Sequence, residues 1–397
     1  MSGLRVIELY SGIGGMHYAL KDSGIPYQVV AAIDINPTAN QIYKHNFPDT
    51  PLWNKTIEGI TLDDFNKLSF DMILMSPPCQ PFTRIGLQGD IADPRTKSFL
   101  YILDLLPRLC RRPRFILLEN VKGFETSSAR ERLVKTLMEC GYTYQEVMIS
   151  PTSVGIPNSR LRYYLIAKSS TENFSTDTCS KILEAFPHSA DNDCPAFLNP
   201  AESNPPEEPT VSSPSDPDAC LTGEEDPQRD QVLYKLETRM DAQRKMNQNK
   251  DVSVRQIQDF LEPQIEDNIE NYLLPPKTLL RYALLLDIVQ PTCRRSVCFT
   301  KGYGRYVEGT GSVLKCCMET EIESVFGGLD QYSEEEKLQQ LLRLKLRYFT
   351  PREVANLMGF PQSFSFPEQI STKQKYRVLG NSLNVMVVAR LLQLMVS

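Results

Sequence analysis

Histidine is scarce in this chain of 397 residues, with His17, His45 and His188 the full set. The ten cysteines include no Cys-x-x-Cys pair. A structural zinc site needs both more ligands and that spacing, so no metal is expected. Cys293 and Cys298, and the adjacent Cys316 and Cys317, read as thiols rather than ligands or a redox pair. No paired cysteine framework exists, and a chain this long buries a core without one. A reducing compartment follows: the cytoplasm, with the nucleus as the second setting. Long apolar runs are missing as well. Val385–Val396 is apolar but interrupted by Arg390 and Gln393, so neither a membrane span nor a membrane partner is expected. Met1 to Arg5 leads straight into the strand-like VIEL, without a secretory leader pattern. Tryptophan occurs once, at Trp53, and reads as packing. No internal repeat or heptad array is present.

A net charge of −6 argues against an anionic partner until its location is considered. Residues 171–230 hold 14 acidic and 2 basic side chains and nine of the 28 prolines. The rest of the chain therefore carries +6, which is compatible with nucleic acid without requiring it. The acidic stretch has few large apolar residues and reads as a disordered insertion.

Before that insertion, strand and helix signals alternate. Strands are expected at 4–9, 28–34, 71–75, 114–119, 142–149 and 162–167, with helices at 15–22, 37–46, 96–106 and 127–140. This is the pattern of a doubly wound, mostly parallel α/β sheet. After the insertion, 231–250, 252–261 and 338–346 look helical, and 294–307 is rich in β-formers and glycine. Thr350-Pro351-Arg352-Glu353 is a helix opening, with a threonine cap and proline in the first turn. Residues 383–394 form an amphipathic terminal helix, expected to pack on the first strands.

Four stretches carry chemistry. Leu9-Tyr-Ser-Gly-Ile-Gly-Gly15 joins the first strand to the first helix. Its glycines let backbone approach a ligand, and the helix amino terminus offers N–H groups. Asp34 follows at the distance where an acid reaches ribose hydroxyls. A dinucleotide site would want a third glycine where His17 stands; a smaller nucleoside such as S-adenosylmethionine suits the loop better, and a plain tight turn gives the same string. Ser76-Pro-Pro-Cys79 follows a short apolar strand, and two prolines stiffen the loop that presents the thiol. Glu119-Asn120-Val121 closes another apolar strand, where a carboxyl is a strand cap or a proton donor to a ring nitrogen. Arg160 and Arg162, two apart in Asn158-Ser-Arg-Leu-Arg162, share one face. They are either an exposed basic edge or a clamp for a carbonyl or phosphate.

The ordered set YSGIGG, Asp34, PPCQPF, ENV, SRLR and Gly380-Asn-Ser-Leu-Asn384 resembles the DNA cytosine-5 methyltransferase family. Cys298-Phe-Thr300 and the glycine–tyrosine run after it resemble the family's tRNA-methylating branch, whose members modify the anticodon-loop cytosine of aspartate tRNA. The resemblance implies a Rossmann-like S-adenosylmethionine-dependent methyltransferase sheet with a smaller target-recognition domain. It divides the chain into catalytic parts at 1–168 and 349–397, the insertion at 169–230 and a recognition domain at 231–348. It implies that Cys79 attacks C6 of cytosine, that Glu119 holds or protonates N3, and that Arg160 and Arg162 contact the base carbonyl and help hold the thiolate. It implies a shell for S-adenosyl-L-methionine, and for the product S-adenosyl-L-homocysteine, of Ile13, Gly14, Gly15, Asp34, Ile57, Glu58, Ser76, Pro78, Ser98 and Ser382. Ser98 and Ser382 rest on the resemblance alone. Tyr10 stands where phenylalanine is commoner, Asp34 where glutamate is, and Asn158 where many DNA enzymes have glutamine.

The implied partner is tRNA, chiefly aspartate tRNA, with DNA a weaker one, and the chain is expected to act as a monomer. Three rival functions stay open on sequence: a DNA cytosine-5 methyltransferase, a catalytically silent nucleic-acid-binding protein, and a thiol hydrolase pairing Cys79 with His17 or His45.

Overall fold

Runs of aliphatic residues in the first third of the chain become β1 (Leu4–Leu9), β2 (Tyr27–Ile33), β3 (Leu52–Trp53), β4 (Met72–Met75) and β5 (Phe115–Val121). β6 (Tyr142–Ile149) and β7 (Arg162–Ser169) complete a seven-stranded sheet ordered β3-β2-β1-β4-β5-β7-β6. The computed structural model describes residues 3–78, 90, 93–170, 172, 181–187, 237–263 and 266–397. Cys79, His188, Cys179, Cys194 and Cys220 lie outside them, as does most of the acidic segment.

Strands β1 to β5 pair in parallel. β7 runs antiparallel between β5 and β6. All four residues of β4 are buried, as both covered faces of a parallel sheet require. Alternate residues feed two cores: Val6, Leu74, Leu117 and Ile166 on one face, Ile7, Ile73, Leu118 and Leu165 on the other. The chain leaves β1 toward β2 and β3, then returns to β4 on the opposite side. A crevice opens at such a switch point, outside the carboxyl ends of the strands.

Helices α1 (Gly15–Ser23), α2 (Pro37–Asn46), α3 (Leu62–Leu68), α4 (Lys97–Leu105) and α5 (Ser128–Glu139) connect these strands. Beyond the insertion come α6 (Arg239–Lys250), α7 (Pro276–Tyr282), α8 (Ile322–Phe326) and α9 (Glu334–Leu342). A small sheet of β8 (Ile288–Val289), β9 (Val313–Lys315) and β10 (Leu346–Arg347) lies among them. Leu274, Leu279, Leu286, Val325 and Leu344 form a third core there.

The chain then rejoins the large sheet through α10 (Pro351–Leu357), α11 (Thr372–Asn381) and α12 (Val385–Val396). Thr350 and Glu353 make the capping box that the sequence announces. Thr372–Val396 is apolar and long enough to cross a membrane. It is nonetheless two helices, parted by extended residues at Ser382 and Asn384. α12 packs chiefly on α1 and touches β5 and β7, rather than lying on the first strands. Seven of its residues are buried, worth on the order of 10 kcal/mol before ordering costs.

One helical expectation fails and another holds only in part. Residues 252–261 hold only a 3₁₀ turn, Ile257–Phe260. Its N–H groups are taken by the carbonyls of Pro291 and Cys293, an exchange that local periodicity does not reveal. Residues 338–346 divide between the end of α9 and β10. The β-formers of 294–307 make turns and one isolated bridge, Val297 to Ser159.

Candidate active site

A cavity of about 700 Å³ opens at the carboxyl ends of β1, β2, β4 and β5. Ile13, Asp34, Ile57, Glu58, Ser76, Pro78, Ser98, Ser382, Glu119, Arg160 and Arg162 all line it. Gly14 and Gly15 are not among the residues that line it, although Gly12 and Ile13 are, and Cys79, one residue past Pro78, lies outside the described residues.

On one side, the glycine loop turns into α1 through Gly14, whose φ of 89° is left-handed and suits glycine. Beside it, Ser382 Oγ and Leu383 approach Gly15 closely enough that a β-carbon there would lie 3.1–3.2 Å from them. The Asp34 carboxylate accepts from Gly12 N at 2.9 Å and Asn36 N at 2.7 Å. Burial raises its pKa, and those N–H groups pull the other way. Asp34 therefore ties down the glycine loop and still presents lone pairs to the cavity. Ile57 is a buried apolar wall, and Glu58 is exposed at the mouth. Tyr10, which the sequence offered only as a mild departure, also lines the cavity. Its hydroxyl donates to Ser98 Oγ at 2.9 Å, and its carbonyl accepts from Ser76 Oγ at 3.2 Å.

On the other side stands Glu119, 9% exposed and set within β5 rather than at its end. Burial raises its pKa, and Arg162 and Arg160 only partly reverse that. Arg162 Nε is 3.7 Å from Glu119 Oε1. The carboxyl is thus inclined to hold a proton, and a cation waits beside it to stabilise the anion left when that proton departs. Asn120, next along, donates to Pro77 O at 3.4 Å and so fastens β5 to the proline stem.

Arg160 is 4% exposed. Its Nη1 donates to Phe299 O at 3.1 Å, and its Nη2 donates to Gly380 O at 3.1 Å and to Ser382 O. One guanidinium thereby joins the strand side, the 237–348 segment and the α11–α12 junction. Asn158 acts similarly, donating to Ser296 Oγ and Val297 O, both at 3.0 Å. Cys298 sits between the arginines, with its Sγ 3.3 Å from Arg160 Nη1 and 3.7 Å from Arg162 Nη2. Burial pushes its thiol up, but the two guanidinia outweigh that and leave it below its usual range. Cys298 follows the isolated bridge between Val297 and Ser159 and packs against the arginines.

His17 and His45 do not line the cavity. His17 is buried, stacked on Phe47 and 2.7 Å from Tyr43 Oη, and burial lowers its pKa to about 4. His45 meets Ser365 at 2.8 Å. A cysteine–histidine hydrolase has no histidine base among the described residues lining the cavity. Those residues also contain no group of three or more His, Cys, Asp or Glu arranged to hold a metal.

The model of the C-5 cytosine-specific DNA methylases matches residues 4–397. The chain belongs to that family. Among the methylases it is 57% identical to the tRNA (cytosine(38)-C(5))-methyltransferase of Homo sapiens, with all of both chains covered. It is 35% identical to the DNA (cytosine-5)-methyltransferase of Dictyostelium discoideum, over 100% of this chain and 95% of that one. The crystal structure of a Spodoptera frugiperda DNMT2 mutant is similar at a TM-score of 0.76 and 37% identity, covering 99% of this chain and 100% of the other.

Proposed function

We propose that the chain transfers a methyl group to C5 of cytosine 38 in the anticodon loop of aspartate tRNA, the cytosine position named for its human relative. The observation that carries the reading is Glu119, a buried carboxyl with raised pKa at the wall of the cavity, with Arg162 beside it. That pair suits a ring nitrogen that must gain a proton while its ring takes up a nucleophile.

The cavity fits S-adenosylmethionine. Asp34 can hold ribose hydroxyls, Ile57 and Pro78 offer apolar walls, and the start of α1 offers N–H groups to a carboxylate. Ile13, Gly14, Gly15, Glu58, Ser76, Ser98 and Ser382 complete the shell. Bound there, the cofactor supplies the methyl group that C5 receives.

The chain's own groups do the rest. Cys79 adds to C6 as thiolate, and Glu119 gives its proton to N3 as electron density moves into the ring. C5 becomes nucleophilic without negative charge building on the pyrimidine. Arg162 faces the base carbonyl and stabilises the Glu119 carboxylate. After methylation the C5 proton passes to water, its bonding pair forms the C5–C6 double bond as the S–C6 bond breaks and the thiolate departs, N3 returns its proton to the Glu119 carboxylate, and the ring is aromatic again. Residues 1–168 and 349–397 act as the catalytic part and 231–348 as the recognition part; of the interleaved Lys301, Tyr303, Arg305 and Tyr306 that the sequence offers to RNA, Tyr303 is buried in the core and the other three are exposed to meet it. A base already exposed in a loop costs less to flip than one in a duplex.

Transfer from labelled S-adenosylmethionine tests this with three substrates: aspartate tRNA transcript, the same transcript with uridine at position 38, and cytosine-rich duplex DNA. Label on the first alone, absent with Cys79→Ala, is the expected result. Label mainly on the duplex transfers the chemistry to DNA, the reading favoured by the name of the Dictyostelium relative. Cofactor binding without transfer to any substrate leaves a silent binding protein.

A further inference from the structure

Glu8 is fully buried on β1 and takes no part in the chemistry above. Its Oε1 lies 3.0 Å from Tyr43 Oη of α2 and 3.3 Å from His17 Nδ1 of α1. Tyr43 Oη lies 2.7 Å from that same Nδ1. Glu8 Oε2 has no hydrogen-bond partner among the described residues. The single Tyr43 hydroxyl hydrogen cannot serve both of its neighbours, so a second proton must lie in the cluster. An ionised Glu8 would leave half its charge on the bare Oε2. With a proton on Oε1, Glu8 donates to Tyr43, Tyr43 donates to His17 Nδ1, and only a neutral carbonyl oxygen stays bare. Burial acts in the same sense, raising the Glu8 pKa from 4.5 to about 8 and lowering that of His17 to about 4.

This relay lies beneath the glycine loop. His17 stacks on Phe47 with ring centroids 3.7 Å apart and planes 3° apart. Phe47 fills the space of the side chain that Gly14 lacks: a β-carbon on Gly14 would lie 2.6 Å from Phe47 Cε2 and 3.4 Å from Tyr43 Cδ2. Gly14 is the left-handed residue through which the loop enters α1. The rings that support that turn are therefore held by the chain of donors that begins at Glu8.

We propose that protonated Glu8 is a positioning residue for the cofactor: through Tyr43 and His17 it holds Phe47 under Gly14, and loss of its proton loosens the loop and weakens binding. Glu8 does not itself line the cavity. The inference rests on reading that cavity as a site for S-adenosylmethionine. Tyr27 of β2 meets the His17 ring edge-on at 5.6 Å, and burial keeps its phenol and that of Tyr43 neutral. In the sheet, Ala32 and Leu74 stand beside Glu8. Lys21 and Asp22 of α1 and Lys44 and His45 of α2 are exposed. So are Lys373, Arg377 and Arg390 on α11 and α12, which pack on those helices, while Lys375 lies over Phe366. Glu8 is thus the member of the cluster that changes charge between pH 7 and 9.

Calorimetric titration of the full chain with S-adenosyl-L-homocysteine from pH 7 to 9.5 tests this. The wild-type Kd should rise about tenfold between pH 7.5 and 9, as expected when only the form protonated at a pKa of about 8 binds. Glu8→Gln, whose amide donates but cannot ionise, should lose that rise. The ligand's own amino group titrates alike with both proteins, so the difference between them belongs to Glu8. Tyr43→Phe keeps the ring and cuts the relay, and should raise Kd at pH 7 by about threefold to tenfold, the effect of one buried neutral hydrogen bond. Urea denaturation at pH 7 establishes that each variant is folded. An equal rise in wild type and Glu8→Gln, or a folded Tyr43→Phe that binds as tightly as wild type, would overturn the proposal. A wild-type Kd flat across the range would overturn it and leave the cofactor reading intact. Absence of any wild-type binding would refute the cofactor reading, and this inference with it.

Discussion

Replacing Arg160 and Arg162 one at a time by alanine separates two roles that the sequence left merged. Arg160 is almost wholly buried and donates to the carbonyls of Phe299, Gly380 and Ser382. Truncation takes the arginine donor from three carbonyls, of which Phe299 O keeps a weak contact from Cys298 Sγ at 3.7 Å, and a carbonyl left buried without a donor costs about 1–3 kcal/mol. Water entering from the adjoining cavity recovers part of that. The net loss should be about 3–5 kcal/mol, the range for removing one member of a buried charged contact. Arg162 makes no bond to the α11–α12 junction. Its Nη1 donates to Leu161 O at 2.8 Å, its Nε stands 3.7 Å from Glu119, and its side chain is 16% exposed. Its removal should cost about 1 kcal/mol of stability while abolishing methyl transfer. Urea denaturation of both variants beside wild type makes the comparison. Equal midpoints for the two variants, or an Arg160→Ala midpoint matching wild type, would refute the assignment of Arg160 as the staple.

Three further outcomes follow from the same geometry. Glu119 must be protonated to donate, and burial raises its pKa, so kcat should fall as pH rises through that raised value; Glu119→Gln should lose this alkaline limb along with about 10²–10⁴ of the rate, measurable from a pH–kcat profile. Gly380→Ala should fail to fold normally or bind cofactor, because its β-carbon would lie 2.2 Å from Lys301 N and from the Thr300 carbonyl carbon; circular dichroism and calorimetry check this. Buried Glu8, held by Tyr43 at 3.0 Å, has its pKa raised by burial from 4.5 to about 8. Between those values the folded chain keeps a proton that the unfolded chain has lost, so this group's contribution to stability declines as pH rises. His17, lowered from 6.5 to about 4, has the opposite slope below pH 6.5 and none above it. From pH 6.5 to 8, wild type should therefore lose about 2 kcal/mol more than Glu8→Gln, read as the shift in urea midpoint.

The alternation of apolar runs was enough to read six of the seven strands, four of the five connecting helices and the glycine loop, because a parallel sheet covered on both faces must be written in nearly continuous aliphatic strands; the two-residue β3 and the short α3 carry no such run. The cavity-lining positions were legible for the same reason: Asp34 and Ser76 follow strands whose carboxyl ends meet, and Glu119 lies within a third, two residues before its end. Strand direction was not legible, since period-two patterning is the same forwards and backwards, and β7 is antiparallel. The dual duty of Asp34 was hidden because one of its N–H donors, Gly12, belongs to the loop after β1, on a different strand from its own. Arg160's partners lie 139 to 222 residues away, beyond any local signal. The failed helix at 252–261 shows tertiary hydrogen bonds overriding local propensity.

The Arg160 staple also orders events in time. A ribosome adding 5–20 residues per second needs roughly ten to forty seconds to pass from Arg160 to Ser382. Throughout that interval the guanidinium has no Gly380 or Ser382 to meet, and α1 lacks the helix that covers it. The nascent sheet can form early, but its binding crevice matures late. A chain stalled in synthesis before position 380 would display an apolar helix face and a solvated cation. Surveillance by chaperones and proteases would find both, so partially made copies should be cleared before they could capture cofactor or RNA.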